Sequence, residues 1–449
     1  MCSSEQREPH APRPSPSTSR MPRRAASPMT DPHRTPVSVG QGPEDEGLVP
    51  PAVGLDDLRA VDGDVPAAVG RLLEHLLAER TTQASALDPV FAQDLAERVA
   101  RFTLDGGKRT RSQFVWWAFR SCAGSPAAAQ DALRVGAALE LIQTCALVHD
   151  DVMDGSRVRR GRPALHTEVE AQYATSDRSS RSTRFGEAAA ILAGDLALAW
   201  ADDVLAETSL APDTARRVRA LWSAMRMEMV AGQYLDIQGQ TTSSRSLVQA
   251  IRTACLKSAL YSVERPLALG AALAGADATV TEALCAAGRC VGIAFQLRDD
   301  LHNVFGGPRQ AGKPTDGDIR SGKPTYLVAV ARARARAAGD RRALAVLEGS
   351  VGRADLSEAE LAEVRDVLVC TGARKTVEAR IDRLVARGMR HLGSAALEPA
   401  GRRRLRELLH ASAGALPTVP PRSGDAHHHA ADAPPLSLLL EAAVKGTAR

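Results

Sequence analysis

Aromatic residues are scarce in this chain, and their scarcity argues against a sheet-based fold. Phe, Trp and Tyr supply only 3% of the 449 residues, while alanine and leucine supply most of the apolar surface. Strands favour β-branched and aromatic residues, whereas alanine and leucine are strong helix formers. Apolar residues recur at helical spacing through most of the chain, and strand-like alternation is absent. The composition therefore predicts an all-α fold.

Lysines are few, and paired cysteines and long apolar runs are absent from the sequence. Only six of the 57 basic residues are lysines, so each lysine is more informative than one of the many arginines. The seven cysteines form no C-x-x-C motif. This argues against a zinc site, and we interpret them as free thiols of a reducing cytoplasm. Without an apolar run of membrane-spanning length or a signal-peptide core, we expect no integral membrane segment and a cytoplasmic location. A net charge of +4 does not indicate a nucleic-acid partner.

The two ends of the chain differ in composition from its middle. Residues 1–55 are rich in Pro, Ser, Arg and Gly, and residues 412–449 are similar, so both are predicted to be disordered tails. Residues 56–411 are predicted to form one large helical domain without an internal boundary. A polar, Arg-rich stretch at 174–186 interrupts the helical pattern. We interpret it as an unstructured excursion, and a flap over a site is the alternative.

Two aspartate clusters, each at the end of an apolar helical run, are the strongest chemical feature. They contain Asp150, Asp151 and Asp154 in the first, and Asp299, Asp300 and, in place of a third aspartate, Asn303 in the second. Carboxylates one helical turn apart share a face, and crowded carboxylates repel one another unless cations neutralise them. Oxygen-only clusters of this kind suit Mg²⁺. One cluster alone is equally typical of a solvated acidic helix end, but two together favour a Mg²⁺ site.

Basic residues accompany the first cluster and a Gly-Gly turn before it. Lys108 and Arg111 follow the turn at the start of a helix, where backbone N–H groups and the helix dipole favour an anion. Arg159 and Arg160 come directly after the first cluster, where they could simply form salt bridges with it. A diphosphate held by Mg²⁺ on one side and by basic residues on the other would explain why acidic and basic residues occur side by side here.

Further polar side chains interrupt the apolar helices that follow. They are Gln233 in GQYLDI, Lys257 and Ser258 in LKSALYS, Gln296 one turn before the second cluster, and Asp318 and Lys323 in a glycine-rich segment after it. Taken alone, Gln233 is also compatible with a core amide, and Lys257 with a surface lysine whose stem covers apolar surface. Their occurrence beside the acidic clusters favours a shared site.

Six motifs in order link the chain to a known family. They are GGKRTR, QTCALVHDDVMDGSRVRRGRPALH, GQYLDI, KSALYS, FQLRDD and GKPTDGDIRSGKPTYL. With these motifs the chain resembles the trans-isoprenyl diphosphate synthases of the polyprenyl synthetase family over most of 60–410. The resemblance implies an all-α fold around a deep central cavity, with the aspartate clusters facing each other across its mouth. It also implies head-to-tail condensation of isopentenyl diphosphate with an allylic diphosphate, by a homodimer.

The resemblance implies a role for each motif residue, and about three Mg²⁺ ions. The direct metal ligands would be Asp150, Asp154 and Asp299. Acting through waters would be Asp151, Asp300 and Asp318. Isopentenyl diphosphate would be held by Lys108, Arg111, Gln143 and Arg160. The allylic diphosphate would be held by Arg159, Gln233, Lys257 and Lys323. Catalysis would depend on Lys257, Ser258, Gln233, Arg159 and Gln296. The departing pyrophosphate would remove the proton, so His149 and His166 are expected to be structural.

Product length is expected to depend on the cavity floor, one and two turns before Asp150. Related enzymes that stop at farnesyl diphosphate commonly carry aromatic bulk there, whereas this chain has the small residues Cys145 and Ala146. We therefore predict geranylgeranyl diphosphate as the product. Ile142 and Leu139 are the candidates for closing the tunnel at a deeper level.

Two other functions compete with this interpretation. A class I terpene cyclase also uses an Asp-rich Mg²⁺ cluster on a helical fold, but it takes one diphosphate substrate. A second basic site at Lys108, Arg111 and Arg160 argues against it. A non-catalytic regulatory subunit of a heteromeric synthase is the other alternative. It stays open because Asn303 adds no charge to the second cluster, where Mg²⁺ is expected to bind more weakly.

Overall fold

The computed structural model describes residues 55–174, 179–242, 246–306 and 316–414. The chain divides into two units, Met1–Pro51 and Ala52–Arg449, and every described residue belongs to the second unit. The predicted tails at 1–55 and 412–449 lie outside the described residues apart from their innermost positions. The predicted domain boundaries therefore stay predictions.

The described residues are almost entirely helical. The helices are α1 Leu55–Gly63, α2 Val65–Leu87, α3 Pro89–Phe91, α4 Glu97–Leu104, α5 Thr110–Ser121, α6 Ala129–Met153, α7 Leu165–Gln172, α8 Ser179–Ala206, α9 Pro212–Thr241, α10 Leu247–Ala254, α11 Arg265–Leu273, α12 Ala278–Phe305, α13 Gly317–Ser321, α14 Tyr326–Ala337, α15 Arg341–Ser350, α16 Glu358–Cys370, α17 Ala373–Ser394 and α18 Pro399–Ser412. The π-helical segments Ala92–Ala96 and Cys255–Glu264 precede α4 and α11, and the 3₁₀ turn Pro126–Ala128 precedes α6. A short antiparallel hairpin pairs β1 Val158–Arg159 with β2 Arg162–Pro163.

Polar caps fix where several of these helices begin. The Asp277 carboxylate accepts a hydrogen bond from the backbone N–H of Val280 at the start of α12, and Thr325 caps α14 in the same way. Ser357 and Glu360 form a reciprocal capping box at α16. Each cap satisfies N–H groups that lack a partner within the helix. The sequence therefore specifies these helix starts locally.

The two central helices, α6 and α12, each end at an aspartate cluster. Helix α6 packs against α8, while α12 packs against α17 and the π-helical segment Cys255–Glu264. By length and composition, Pro126–Met153 and Ala278–Phe305 are each able to cross a membrane, yet 72% and 50% of their apolar windows are buried inside the protein. Buried core helices of globular domains have the same composition. These helices therefore give little support to a membrane span.

Two glycines let α9 and α12 approach the π-helical segment closely. A Cβ on Gly232 would lie 2.3 Å from the backbone nitrogen of Lys257, and one on Gly292 would lie 2.6 Å from the Cα of Ala259. No side chain fits at such distances, so glycine is required at both positions. These contacts bring the polar residues of α9, α12 and the π-helical segment together.

The structure differs from the sequence prediction after α7. Helix α8 begins at Ser179, so the unstructured excursion predicted for 174–186 is wrong for 179–186. The Thr183 hydroxyl donates to the Glu170 carboxylate at 2.6 Å, and the Tyr173 and Phe185 rings meet edge to face at 4.9 Å. These contacts with α7 stabilise a polar helical end that its composition alone does not predict. Residues 175–178 lie outside the described part of the chain.

Candidate active site

The first aspartate cluster lies at the C-terminal end of α6, where an arginine binds it tightly. Asp151 is fully buried. The Nε of Arg159, on β1, donates to its two carboxylate oxygens at 2.9 and 3.0 Å, and Nη2 donates to Asp150 at 3.1 Å. Burial opposes the charge of Arg159, but Asp151 and Asp150 outweigh it and raise the pKa of the guanidinium. Arg159 therefore stays charged and fixes both carboxylates.

Lys257 and Gln233 also converge on Asp150. The Lys257 Nζ donates to Asp150 at 3.1 Å and to Asp236 of α9 at 2.6 Å, while the Gln233 amide donates to Asp150 at 3.2 Å. Burial alone would lower the pKa of Lys257, but Asp150 and Asp236 raise it above the ordinary lysine value. The lysine is therefore a half-buried ammonium rather than a neutral amine.

Lys323 joins the first cluster to the segment that follows the second. Its Nζ donates to Asp154 at 2.8 Å and lies 3.8 Å from Asp318 of α13. Burial opposes its charge, but Asp318 and Asp154 raise its pKa far above the ordinary value. The end of α6 and the start of α13, which are distant in sequence, thus come together around one cation.

Amides bind Asp300 of the second cluster and Asp318, which follows it along the chain. The Gln296 amide donates to Asp300 at 2.9 Å, and the Ser258 hydroxyl donates to the Gln296 carbonyl oxygen. The Asn303 amide donates to Asp318 at 2.9 Å. Burial, followed by the negative charge of Asp318, raises the pKa of Asp300 well above its ordinary value. The surroundings of Asp300 therefore disfavour its charged form, and the hydrogen bond from Gln296 does not offset this.

The donor set fits Mg²⁺. All six predicted metal ligands are carboxylates, and their crowding at Asp300 calls for a cation. Across the described ranges, no three acidic, histidine or cysteine side chains converge on one point as a ready-made ligand group. A single ion would thus be held by one or two carboxylates plus water and phosphate oxygens, which is the coordination Mg²⁺ prefers.

Arg111 lies in a second polar group, which contacts the π-helical segment at Tyr261 and Ser262. Its guanidinium donates to the Ser262 hydroxyl at 2.7 Å and stacks 4.4 Å above the centre of the Tyr261 ring. The Tyr261 hydroxyl donates to the Gln143 side-chain oxygen at 2.8 Å. Two of the residues predicted to hold isopentenyl diphosphate are thereby connected through a tyrosine.

Arg160 and Lys108 complete this second group. The Arg160 guanidinium donates to the Asp105 carbonyl at 3.2 Å, and a Cβ on Gly107 would lie 3.9 Å from it, so it covers the Gly-Gly turn. Partial burial and neighbouring guanidiniums lower the pKa of Arg160, and the negative charge of Glu140 only partly opposes them. Those guanidiniums belong to Arg159, Arg109 and Arg111. Lys108 is exposed at the turn. Concentrated positive charge of this kind favours a bound anion.

The two histidines of the motifs make contacts within the fold. The His149 Nε2 lies 3.0 Å from the Ile191 carbonyl, and a Cβ on Gly194 would clash with the same ring. His166 is buried, and burial lowers its pKa. The His149 ring is thus used in a contact within the fold, and the structural roles of both histidines stay predictions.

The candidates for the cavity floor differ in accessibility. Ile142 and Leu139 are fully buried, and Cys145 is 4% exposed with its sulfur 3.8 Å from the His149 Nδ1. Ala146, in contrast, is half-buried. Of the four candidates on α6, Ala146 is therefore the most exposed.

Sequence reasoning missed some residues that shape the site. Tyr261 was given no role, although its motif was noted. Arg109 adopts the left-handed conformation with φ 46° and is buried, with Nη1 lying 3.7 Å from the Glu140 carboxylate. Its Nη2 donates to the Leu104 carbonyl at 3.1 Å, which fixes the loop carrying Lys108. A tyrosine spaced by a π-helix and one arginine among many leave no recognisable signal in a single sequence.

Known proteins resemble this chain in sequence and in fold. A family model described as polyprenyl synthetase matches residues 93–364. A (2E,6E)-farnesyl diphosphate synthase of Mycobacterium tuberculosis is 34% identical over 63% of this chain and 72% of its own length. A geranylgeranyl diphosphate synthase of Methanosarcina mazei is 29% identical over 61% of this chain and 74% of its own. The geranylgeranyl pyrophosphate synthase of Corynebacterium glutamicum, solved with isoprenyl diphosphate and magnesium, matches with a TM-score of 0.73 and 36% identity, covering 78% of this chain and 98% of its own. The predicted all-α isoprenoid synthase fold is confirmed.

Proposed function

Because this chain belongs to the polyprenyl synthetase family and is a trans-prenyltransferase, we propose the following reaction. Isopentenyl diphosphate condenses head-to-tail with an allylic diphosphate (dimethylallyl, geranyl or farnesyl), and the product is geranylgeranyl diphosphate. The relatives include a farnesyl and a geranylgeranyl diphosphate synthase. Product length is therefore the part of the proposal that most needs a test.

The adjacent arginines 159 and 160 carry the proposal, because they belong to different polar groups. Arg159 binds the carboxylates of Asp150 and Asp151, whereas Arg160 reaches the Asp105 carbonyl beside the Gly-Gly turn. One group combines carboxylates with cations and suits a metal-bound diphosphate. The other is dominated by cations and suits a diphosphate bound directly. Two such sites side by side support a two-substrate condensation over a one-substrate cyclisation.

In the allylic site, the proposed metal ligands are Asp150, Asp154 and Asp299, with Asp151, Asp300 and Asp318 acting through waters. Mg²⁺, about three ions, would neutralise the charge that develops on the departing diphosphate. Lys257, Lys323, Arg159 and Gln233 are already placed around these carboxylates. They would bind the diphosphate oxygens from the protein side.

In the isopentenyl site, the proposed ligands are Lys108, Arg111, Arg160 and Gln143. The stacking of Arg111 on Tyr261 restricts the guanidinium and prepares it for a bidentate contact with phosphate. Preorganised donors lose less conformational entropy on binding. The site therefore orients the alkene of isopentenyl diphosphate toward the allylic carbon.

The reaction breaks the allylic C–O bond and forms a C–C bond. The allylic cation is stabilised beside the oxygens of Ser258 and Gln233, and Gln296 fixes the Ser258 hydroxyl. The alkene electrons of isopentenyl diphosphate attack the cation, and the departing pyrophosphate removes the proton. No side-chain base takes part. The contact of the His149 ring with the Ile191 carbonyl supports this, since that ring is bound within the fold.

Product analysis after incubation with Mg²⁺, isopentenyl diphosphate and each allylic primer tests the proposal. We expect a C20 diphosphate from all three primers. Release of a hydrocarbon would instead indicate a cyclase. Failure to condense any primer, by a chain that is folded, would contradict the proposal and favour a regulatory subunit.

Replacing Ala146 with Phe tests the floor of the cavity. Because Ala146 is half-buried on α6, an aromatic ring there should block the chain, and Ala146→Phe should shift the main product from C20 to C15. The matched control is Leu141→Met, a volume-conserving change at a buried position of the same helix that has no proposed role in the tunnel. An unchanged product length in Ala146→Phe would remove this residue as the floor.

A homodimer in the cytoplasm completes the proposal. An exposed apolar stripe on α9 supports the dimer, because Met227, Val230, Tyr234 and Ile237 recur at helical spacing on its surface. The described cysteines are free thiols, which fits a reducing compartment. Light scattering at several concentrations would measure the oligomeric state, and a monomer would contradict this part.

A further inference from the structure

Asn303 is the only asparagine in the 449 residues, and it occurs where the second cluster departs from three aspartates. Its side-chain amide donates to Asp318 at 2.9 Å. An aspartate in this place has no hydrogen to donate, because an ionised carboxylate is an acceptor only. Asn303 thus donates to Asp318 a hydrogen bond that an ionised aspartate at this position could not donate.

The backbone around Asn303 is fixed from a distant helix. The Asn303 carbonyl accepts a hydrogen bond from the N–H of Asp316 at 2.7 Å. Asp316 is buried in the left-handed conformation, with φ 73°, and its carboxylate pairs with Arg365 of α16. Arg365 Nε also donates to the Val304 carbonyl at 3.0 Å. The last turn of α12 and the start of α13 are therefore held together on both sides of Asn303.

The hydrogen bond determines how Asp318 is oriented. One carboxylate oxygen accepts from Asn303, and the other lies 3.8 Å from the Lys323 ammonium. Asp318 lies near Asp300, which it affects more strongly than any other charge does. A carboxylate at position 303 would add like charge within hydrogen-bond distance of Asp318. Repulsion would then turn Asp318 away from Lys323 and the site.

We infer that Asn303 is a positioning residue, whose amide holds the Asp318 carboxylate toward the metal-bound allylic diphosphate. This inference rests on the proposed function. The motif alone predicts that Asn303 weakens Mg²⁺ binding at the second cluster. Our inference is the opposite. On that expectation Asn303→Asp would restore a ligand and strengthen Mg²⁺ binding. On ours it removes a donor, adds repulsion and weakens binding.

The test is a Mg²⁺ titration of the full chain with inorganic pyrophosphate, followed by the shift in melting temperature. We expect Asn303→Asp to need about tenfold more Mg²⁺ for the half-maximal shift, the scale of a lost charge-assisted hydrogen bond. Asn303→Ala loses the donor without added repulsion, so its increase should be smaller. The matched control is His302→Asp, which adds the same charge at the exposed neighbouring position and should stay close to wild type.

Steady-state kinetics separates positioning from a general effect on the fold. Asn303→Ala should raise the Mg²⁺ requirement and KM for the allylic diphosphate while leaving KM for isopentenyl diphosphate unchanged. An equal rise in both KM values would overturn the inference. Because Asn303→Ala adds no charge, it serves as the test if Asn303→Asp fails to fold.

The outcomes distinguish the inference from the proposed function. A wild-type chain that shows no Mg²⁺-dependent shift with pyrophosphate would overturn both. A wild-type chain that responds, with Asn303→Asp needing the same Mg²⁺ concentration or less, would overturn the inference alone. So would an equal effect of His302→Asp, because added charge rather than the lost amide would then be responsible.

Discussion

The two aspartate clusters look alike in sequence but lie in different electrostatic surroundings. In the first, Arg159 and Lys257 bind Asp150, and Lys323 binds Asp154. In the second, Asp300 accepts its hydrogen bond from the neutral amide of Gln296 and lies near other carboxylates. Protein cations bind the first cluster, whereas burial and neighbouring carboxylates raise the pKa of Asp300 and disfavour its charged form.

This difference indicates that two clusters of similar sequence have different roles in the proposed function. Cations around the first cluster are the same side chains proposed to hold the allylic diphosphate, so its aspartates and the substrate share them. In the proposed function, amides orient Asp300 and Asp318, and Mg²⁺ would neutralise their charge. The variants below are therefore expected to have separate effects on the first cluster, on the second cluster and on the basic site at Lys108.

The largest effect is expected at Asp154, which Lys323 binds at 2.8 Å. Asp154→Asn should lower kcat by roughly a thousandfold, because charge stabilisation of the leaving group by a metal is worth several kcal/mol. Condensation rates at saturating Mg²⁺ measure this. Asp382→Asn, a change at an exposed position on α17, is the control and should match wild type. A loss below tenfold would remove Asp154 from the proposed metal ligands.

A smaller effect should separate the cations of the two substrate sites. Lys257→Gln should raise KM for the allylic diphosphate roughly tenfold or more through the loss of a charge-assisted bond, with little change in KM for isopentenyl diphosphate. Lys108→Gln, at the exposed Gly-Gly turn, should do the reverse. Initial rates with one substrate varied at a time distinguish them. If both variants changed the same KM, the assignment of two separate sites would be wrong.

The smallest effect concerns stability and pH at Asp300. Burial, with Asp318 and Asp299 next to it, raises the pKa of Asp300 above its ordinary value of 3.8. The folded state thus favours the protonated acid, and stability is lost as pH rises above that ordinary value. In EDTA between pH 4 and 8, the melting temperature of wild type should fall relative to that of Asp300→Asn, by roughly 2–4 °C at neutral pH.

Scanning calorimetry of both chains with and without Mg²⁺ completes that comparison. Mg²⁺ with pyrophosphate should stabilise wild type and have less effect on Asp300→Asn, because the ion compensates the charge that the variant lacks. If the two chains showed parallel pH profiles in EDTA, Asp300 would not be the uncompensated acid.

Much of the fold could be predicted from local patterns, and the exceptions have physical causes. The central helices α6 and α12 were predicted because their apolar residues recur over many turns. The first turns of α8 were missed because they are polar and depend on contacts with α7, such as Thr183 with Glu170. The π-helical segment Cys255–Glu264 was missed because its spacing depends on close packing against Gly232 and Gly292.

At the candidate site, residue identity was more predictable than pairing. The sequence identified Arg159 and Arg160 as neighbours of the first cluster, but not that they belong to different polar groups. It also suggested that Asn303 weakens the second cluster, whereas the structure pairs it with Asp318. Tyr261, which connects Arg111 with Gln143, received no role before the structure was known.

The sequence by itself determined the all-α class, the family and the chemical types gathered at the site. Helical periodicity and the motifs are local properties, and they survive without knowledge of distant contacts. Only the tertiary structure decided which aspartate pairs with which cation, which carboxylate stays uncompensated, and what Asn303 holds. These depend on residues such as Asp154 and Lys323, 169 positions apart, whose 2.8 Å contact exists only once the chain has folded. Electrostatic interactions depend on distance and burial, and neither is written in the order of the residues.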